Sequence, residues 1–234
     1  MAKPKLFVAD YQGYARPFRE IFDITEKLKE ADCLMFTGGE DVDPRTYGDP
    51  AGRYTYYTAA RDRYELEYFN IAQSLDIPIL GICRGHQLLC AVSGGKLVQD
   101  CTGHTRGHEI TTDSGERYPM SSLHHQMVRL EGIDHKLIAW ATTPLSRRYL
   151  DGKDNEIYGH EIQHEYENGD RSKPPIAVHS THVEPEIVWF SKVKGLGIQG
   201  HPEMMREDSP TVEYCRQLVK EYILGESISE KAAA

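Results

Sequence analysis

IPILGICRGHQLL, residues Ile77–Leu89, runs apolar as far as a cysteine, turns on a glycine and resumes with helical spacing. A short apolar run bounded in this way reads as a buried strand, and the segment after it as the helix packed on that strand. The flanking sequence repeats the alternation. KLFV (Lys5–Val8) and CLMF (Cys33–Phe36) have the length of buried strands, with an amphipathic helical stretch expected between them. The spacing predicts a helix over Arg61–Leu75, where Leu66, Phe69 and Ala72 share a face and Pro78 opens the next strand. The helix through Leu88 ends at Gly94 and Gly95, which supply a left-handed stop before KLVQD continues as a strand. HEITT, KLIAWA, EIVWF and GLGIQG read as further strands. Ser209–Leu224 reads as a terminal helix, with Ser209 as its cap and Pro210 at its first position. The pattern predicts an α/β fold of three layers, a mostly parallel central sheet with helices on both faces. Ligands of such sheets bind beyond the carboxyl ends of the strands, where Cys83 sits.

With 234 residues and 39% hydrophobic content, the chain can bury a sizeable core, and a single domain over residues 1–234 is the economical expectation. Residues 144–183 stand apart as polar, rich in His, Asp, Glu and Tyr, and weakly periodic, so they read as an insertion. The balance of 27 basic and 36 acidic residues gives a net charge of −9, which repels nucleic acid and anionic lipid surfaces. No apolar run reaches membrane-spanning length, and the four apolar residues before Asp10 are too few for a signal peptide. A soluble cytoplasmic protein is expected. Cys33, Cys83, Cys90, Cys101 and Cys215 are odd in number and lack C-x-x-C spacing, so neither a disulfide framework nor a thiolate metal site is indicated.

Gly81-Ile82-Cys83-Arg84-Gly85 has the form G-x-C-x-G between a strand and a helix. Small flanking residues permit the strained turn that lifts a nucleophile out of a sheet. The helix dipole lowers a thiol's pKa there, and the free N–H groups of the first turn can hold a developing oxyanion. Such a thiol needs a histidine to move protons and a group to orient that histidine. GIQGHPE supplies His201 and, two residues on along an extended stretch, Glu203 on the same side. An ordinary core thiol and a loop histidine would fit the same pattern.

The ordered set FTGGEDVDPRTYG, Arg61-Asp62, DIPILGICRGHQLL, GGKLVQD, SLHHQMV and GIQGHPE resembles the class I glutamine amidotransferase-like superfamily. Within it the set is most similar to the γ-glutamyl hydrolase group of cysteine peptidases, peptidase C26, which includes γ-glutamyl-γ-aminobutyrate hydrolase. The resemblance implies a flavodoxin-like three-layer fold, with Cys83 as nucleophile, His201 as general base and acid, and Glu203 as its orienter. It further implies an oxyanion hole made by the backbone N–H groups of Gly39 and Arg84, and a glutamyl pocket lined by Gln87 and His124. The implied activity is hydrolysis of a γ-glutamyl amide through a thioester, without a cofactor. The substrate would be a γ-glutamyl amine or peptide; the alternative is a glutaminase that uses glutamine and passes ammonia to a separate synthetase. A homo-oligomer is possible.

Three departures bear on specificity. Gly200 precedes His201 where the family commonly has Trp, which predicts a more open pocket wall. Only 22 residues, Tyr11 to Asp32, separate the first two apolar strands where relatives fit a further strand, which predicts a smaller sheet. The 144–183 insertion, read as a lid over the site, is the third.

HEIQH (His160–His164) matches the pattern of a zinc protease, yet Gly159 before it and Asn168-Gly169 after it argue against the helix that pattern needs. It reads as a chance match. The spacing of HTRGH (His104, His108) and HSTH (His179, His182) gives no support for a divalent ion, so no metal is expected. EDVDP lacks calcium-loop spacing and reads as turn chemistry beside Gly38 and Gly39. Glu65 and Glu67 are expected on a solvated helix face.

Overall fold

A computed structural model describes residues 2–158, 162–165, 177–180 and 182–226. The first half contains β1 (Lys5–Val8), β2 (Asp23–Thr25), β3 (Cys33–Phe36), α1 (Ala59–Ser74), β4 (Ile79–Ile82) and α2 (Arg84–Val92). Short strands follow: β5 (Lys96–Val98), β6 (Asp100–Cys101), β7 (His108–Thr112), β8 (Arg117–Met120), β9 (Met127–Arg129) and β10 (Lys136–Ala141). After β11 (Tyr149–Leu150), β12 (Ile162–Glu165) and β13 (Ala177–Ser180), the chain returns through β14 (Pro185–Phe190), β15 (Gly195–Ile198) and α3 (Pro210–Leu218).

The principal sheet has nine strands in the order β2-β1-β3-β4-β15-β14-β10-β7-β8. The five strands from β2 to β15 run parallel, and β14, β10, β7 and β8 extend them with antiparallel pairings. Strand alternation sorts the core into two layers. Cys33, Met35, Leu80 and Ile82 pack with Cys215 and Leu218 of α3 on one face. Leu34, Phe36 and Ile79 pack with Leu88 and Leu89 of α2 and Ala72 of α1 on the other. Each such aliphatic side chain contributes about 1.5–3 kcal/mol on burial. The α/β architecture expected from the sequence is therefore present. β4 and β15 lie side by side at its centre, and Cys83 and His201 follow their carboxyl ends.

Ser209 caps α3 as expected, accepting a hydrogen bond from the Val212 N–H at 3.3 Å. Two expectations are corrected in the segment between β1 and β3. It holds no amphipathic helix but two 3₁₀ turns, Gln12–Phe18 and Leu28–Glu30, because Pro17 removes a backbone donor and the turns are too short to propagate. The segment also fits β2, paired parallel to β1, so the sheet is not reduced at that edge. Glu65 is corrected as well: it is fully buried, whereas Glu67 is exposed.

The described part of residues 144–183 packs against neighbouring loops. β11 pairs with β6, Tyr149 and Tyr158 pack with Val98 and Met127, and Asp154 pairs with Arg53 at 3.1 Å. Among the described residues, none of this segment lines the pocket at Cys83, so they give the lid reading no support. Among the described residues no helix is long and apolar enough to cross a membrane.

Candidate active site

Cys83 stands between β4 and α2 with φ 51° and ψ −104°, a conformation that a side-chain-bearing residue adopts only when its surroundings hold it there. The flanking glycines explain how the turn fits. A Cβ on Gly81 would lie 2.5 Å from the Gly85 backbone, and one on Gly85 would lie 2.4 Å from the Phe36 carbonyl oxygen. Cys83 lines a pocket together with Gly39, Gln87 and His124, which places four of the seven residues singled out in the sequence around one opening.

His201 and Glu203 meet as their spacing requires. Nδ1 of His201 lies 2.7 Å from a Glu203 carboxylate oxygen, and both side chains are largely buried. Arg16 donates to the backbone carbonyls of Glu203 and Met205, the latter at 2.8 Å, and fixes the turn that carries the pair. Burial pushes the His201 imidazole down, but the adjacent Cys83 sulfur and the Glu203 carboxylate outweigh it and raise its pKa to about 10. Among the described residues, Nε2 of His201 makes no hydrogen bond of good geometry, and the Cys83 sulfur is the charged neighbour beside the ring. Tyr14 packs beside it, ring centroids 6.2 Å apart, and burial first and the Glu203 charge second push its hydroxyl up to about 12.

The Gly38-Gly39 turn is braced from α1. Arg61 donates to the Gly38 carbonyl at 2.9 Å and to the Thr37 hydroxyl at 3.0 Å. Gly39 has φ +145°, and a Cβ there would meet the Arg61 guanidinium at 2.0 Å, so only glycine fits. The Arg84 side chain points away from the pocket into a buried network with Asp62, at 2.8 Å, and Glu65. Its backbone N–H, at the first position of α2, belongs to the turn whose donors have no helical acceptor. EDVDP supplies turn chemistry, as expected: Asp41 accepts from the Tyr56 N–H at 2.8 Å, and Asp43 caps the turn Pro44–Tyr47.

Sequence reasoning missed Gln199, whose side-chain amide donates to the Cys83 sulfur at 3.7 Å. Its signal was its place two residues before His201. Glu40, Asp41 and His125 also line the pocket, and His125 Nε2 lies 3.1 Å from Asp41. Gly200 is not among the described residues that line the Cys83 pocket. A Cβ there would meet Met120 at 2.3 Å and the Ser121 carbonyl at 2.8 Å, so these residues fill the space.

His164 of the HEIQH motif lies on β12, a strand paired with β13, and His160 is outside the described residues. The helix required by a zinc protease is therefore absent where the motif is described. The structure instead assembles His104 and His124 with Glu186, which their sequence spacing did not associate.

Comparison with known proteins gives a consistent picture. The family model for peptidase C26 matches residues 16–133. A glutamine amidotransferase-like protein of Lactococcus lactis, YvdE, is 33% identical over 133 aligned positions, covering 46% of this chain and 56% of that protein. The γ-glutamyl-CDP-amidate hydrolase of Campylobacter jejuni is 31% identical over 136 positions, covering 58% of this chain and 57% of that one. These matches span somewhat more than half the length of either relative. Among solved structures, PurLQS of Thermotoga maritima superposes with a TM-score of 0.55 at 15% identity, covering 92% of this chain and 98% of that one, a likeness of fold.

Proposed function

The chain belongs to the peptidase C26 family, and from that premise we propose that it hydrolyses the γ-glutamyl amide bond of a γ-glutamyl amine or peptide through a thioester on Cys83. The observation that carries this reading is the strained Cys83 elbow beside the His201–Glu203 pair, at the mouth of one pocket. An imidazolium at His201 favours a thiolate next to it. The sulfur attacks the side-chain carbonyl carbon, and the oxygen takes the negative charge between the N–H groups of Gly39 and Arg84. As the intermediate collapses, the C–N bond breaks and His201 gives its proton to the departing amine. Water then attacks the thioester and yields a proton to His201, the C–S bond breaks, and glutamate leaves. Gln87 and His124 line the glutamyl pocket, and the exposed carboxylate of Glu40 at its rim suits the α-ammonium group of the substrate.

The likeness to a glutamine amidotransferase-like relative supports a second reading, a glutaminase that delivers ammonia to a separate synthetase. Glutamate release from a panel of γ-glutamyl amines and peptides, with glutamine alongside, separates the two. The hydrolase reading expects turnover of a γ-glutamyl amine well above glutamine, reduced about 10³-fold or more in Cys83→Ala. Turnover confined to glutamine, or seen only with a synthetase added, assigns the second reading. Turnover unchanged in Cys83→Ala removes both.

A further inference from the structure

Behind the wall of the Cys83 pocket that carries His124, three histidines and two glutamates meet away from solvent. His104 comes from the turn after β6, His108 begins β7, His124 lies in the loop before β9, Glu184 immediately precedes β14, and Glu186 is its second residue. His104, Glu184 and Glu186 are at most 1% exposed, His124 is 6% exposed and the His108 side chain 7%.

The rim of this cluster is tightly bonded. His108 Nε2 lies 2.9 Å from Glu186 Oε1. Glu184 accepts from the Tyr149 hydroxyl at 2.7 Å and from the N–H groups of Leu145 and Ser146 at 2.9 and 2.8 Å. His124 Nδ1 lies 2.9 Å from the Gln126 carbonyl oxygen. A carbonyl only accepts, so Nδ1 carries the proton, and in the neutral ring Nε2 turns a lone pair inward.

The centre is open by comparison. His104 Nδ1 is 3.6 Å and His124 Nε2 3.8 Å from Glu186 Oε1, and His104 Nε2 is 3.3 Å from Glu184 Oε2. Charge-assisted hydrogen bonds of this kind close to about 2.7–2.9 Å. Among the described residues, both nitrogens of His104, Nε2 of His124 and Oε2 of Glu186 are buried and make no hydrogen bond of good geometry, the nearest approach being the 3.3 Å from His104 Nε2 to Glu184. Orphaned groups in such a place each cost about 1–3 kcal/mol unless something satisfies them. One nitrogen from each of His104 and His124 and one oxygen of Glu186 lie within 4.8 Å of one another.

We propose that His104, His124 and Glu186 form a binding site for one divalent transition-metal ion, zinc before others, separate from the Cys83 nucleophile and independent of the hydrolase reading. Two imidazoles and a carboxylate are a zinc ligand set. His108 holds Glu186 through Oε1, the carboxylate oxygen that also lies nearest His104 and His124, and Glu184 stands behind the far nitrogen of His104, the arrangement in which outer partners orient metal ligands. Ligand atoms around tetrahedral zinc stand roughly 3.3 Å apart, so the site contracts around its ion. Loading would clamp the His124–Gln126 wall of the pocket to β14.

The test uses the full chain, stripped with a chelator, checked for folding by circular dichroism, then loaded with zinc or cobalt and freed of excess by gel filtration. Mass spectrometry should find about one zinc per chain, reduced at least about tenfold in Glu186→Gln, which keeps the side chain's shape. The cobalt form should show ligand-field bands without thiolate charge transfer, although Cys83 and Cys101 are nearby. The double variant His160→Ala/His164→Ala should retain the ion. Folded wild-type protein that takes up no ion, or thiolate bands in the cobalt form, would overturn the proposal. So would an ion that survives Glu186→Gln and is lost in the double variant. Uptake and spectrum of the wild type decide the matter should Glu186→Gln fail to fold.

Discussion

Cys83 holds a strained backbone and His201 a strongly shifted imidazole, for reasons visible in single residues. A positive φ at a cysteine costs about 1–3 kcal/mol and persists only where the surroundings over-determine it; here the close approach of Gly81 and Gly85 does so. The imidazole of His201, raised to about 10 against burial, holds its proton across neutral pH. Its folded-state pKa lies above the unfolded value, so its contribution to stability is complete below about 6.5 and is lost as pH rises toward about 10. The alkaline limb of kcat/KM should accordingly fall near pH 10. Glu203→Gln removes one of the two groups that lift the imidazole, so that limb should move to lower pH while kcat drops about 10²–10⁴-fold. A pH–rate profile of the variant checks this, and a limb that stays in place would show that Glu203 does not set the His201 proton.

At the scale of elements, α1 acts as a brace for the reactive turns on both sides of β4. Arg61 holds the Gly38-Gly39 turn, and Asp62 and Glu65 anchor the side chain of Arg84 at the start of α2. Removing one partner from a buried ion pair leaves an uncompensated charge and costs about 3–5 kcal/mol. Glu65→Ala should fall near the lower end, about 3 kcal/mol in urea unfolding, because Asp62 still faces Arg84. A loss under about 0.5 kcal/mol, the size of an ordinary surface substitution, would mean that water reaches the pair. The sequence placed α1 within a residue or two of its ends, since Leu66, Phe69 and Ala72 carry the periodicity. It could not show that Glu65 points inward, because burial of that carboxylate depends on Arg84 of α2 arriving opposite it.

Across the whole molecule, the thiols divide by position in the layers. Cys33 and Cys215 lie in one core layer and Cys90 in the other, while Cys101 packs beside Tyr149. Burial pushes Cys90 and Cys215 up to about 12, and Cys33 and Cys101 well above the ordinary thiol range. Only Cys83 lines the pocket. Native protein treated with iodoacetamide should therefore take up about one label per chain, at Cys83, and the four others should react only after denaturation. Peptide mapping reads the outcome; fast native labelling at any other cysteine would contradict this division.

The sequence by itself determined the local pieces: the apolar runs that become β1, β3, β4 and β15, the glycines around Cys83, the His201–Glu203 spacing and the Ser209 cap. Each depends on atoms a few residues apart, so backbone sterics and strand or helix periodicity suffice to read it. Tertiary structure alone decided what meets across long separations. It seated Gln199 against Cys83, buried Glu65 with Arg84, filled the space at Gly200 with Met120, and gathered His104, His124 and Glu186 from two loops and a strand. No spacing rule links those residues. Their proximity follows from the order in which the strands join the sheet.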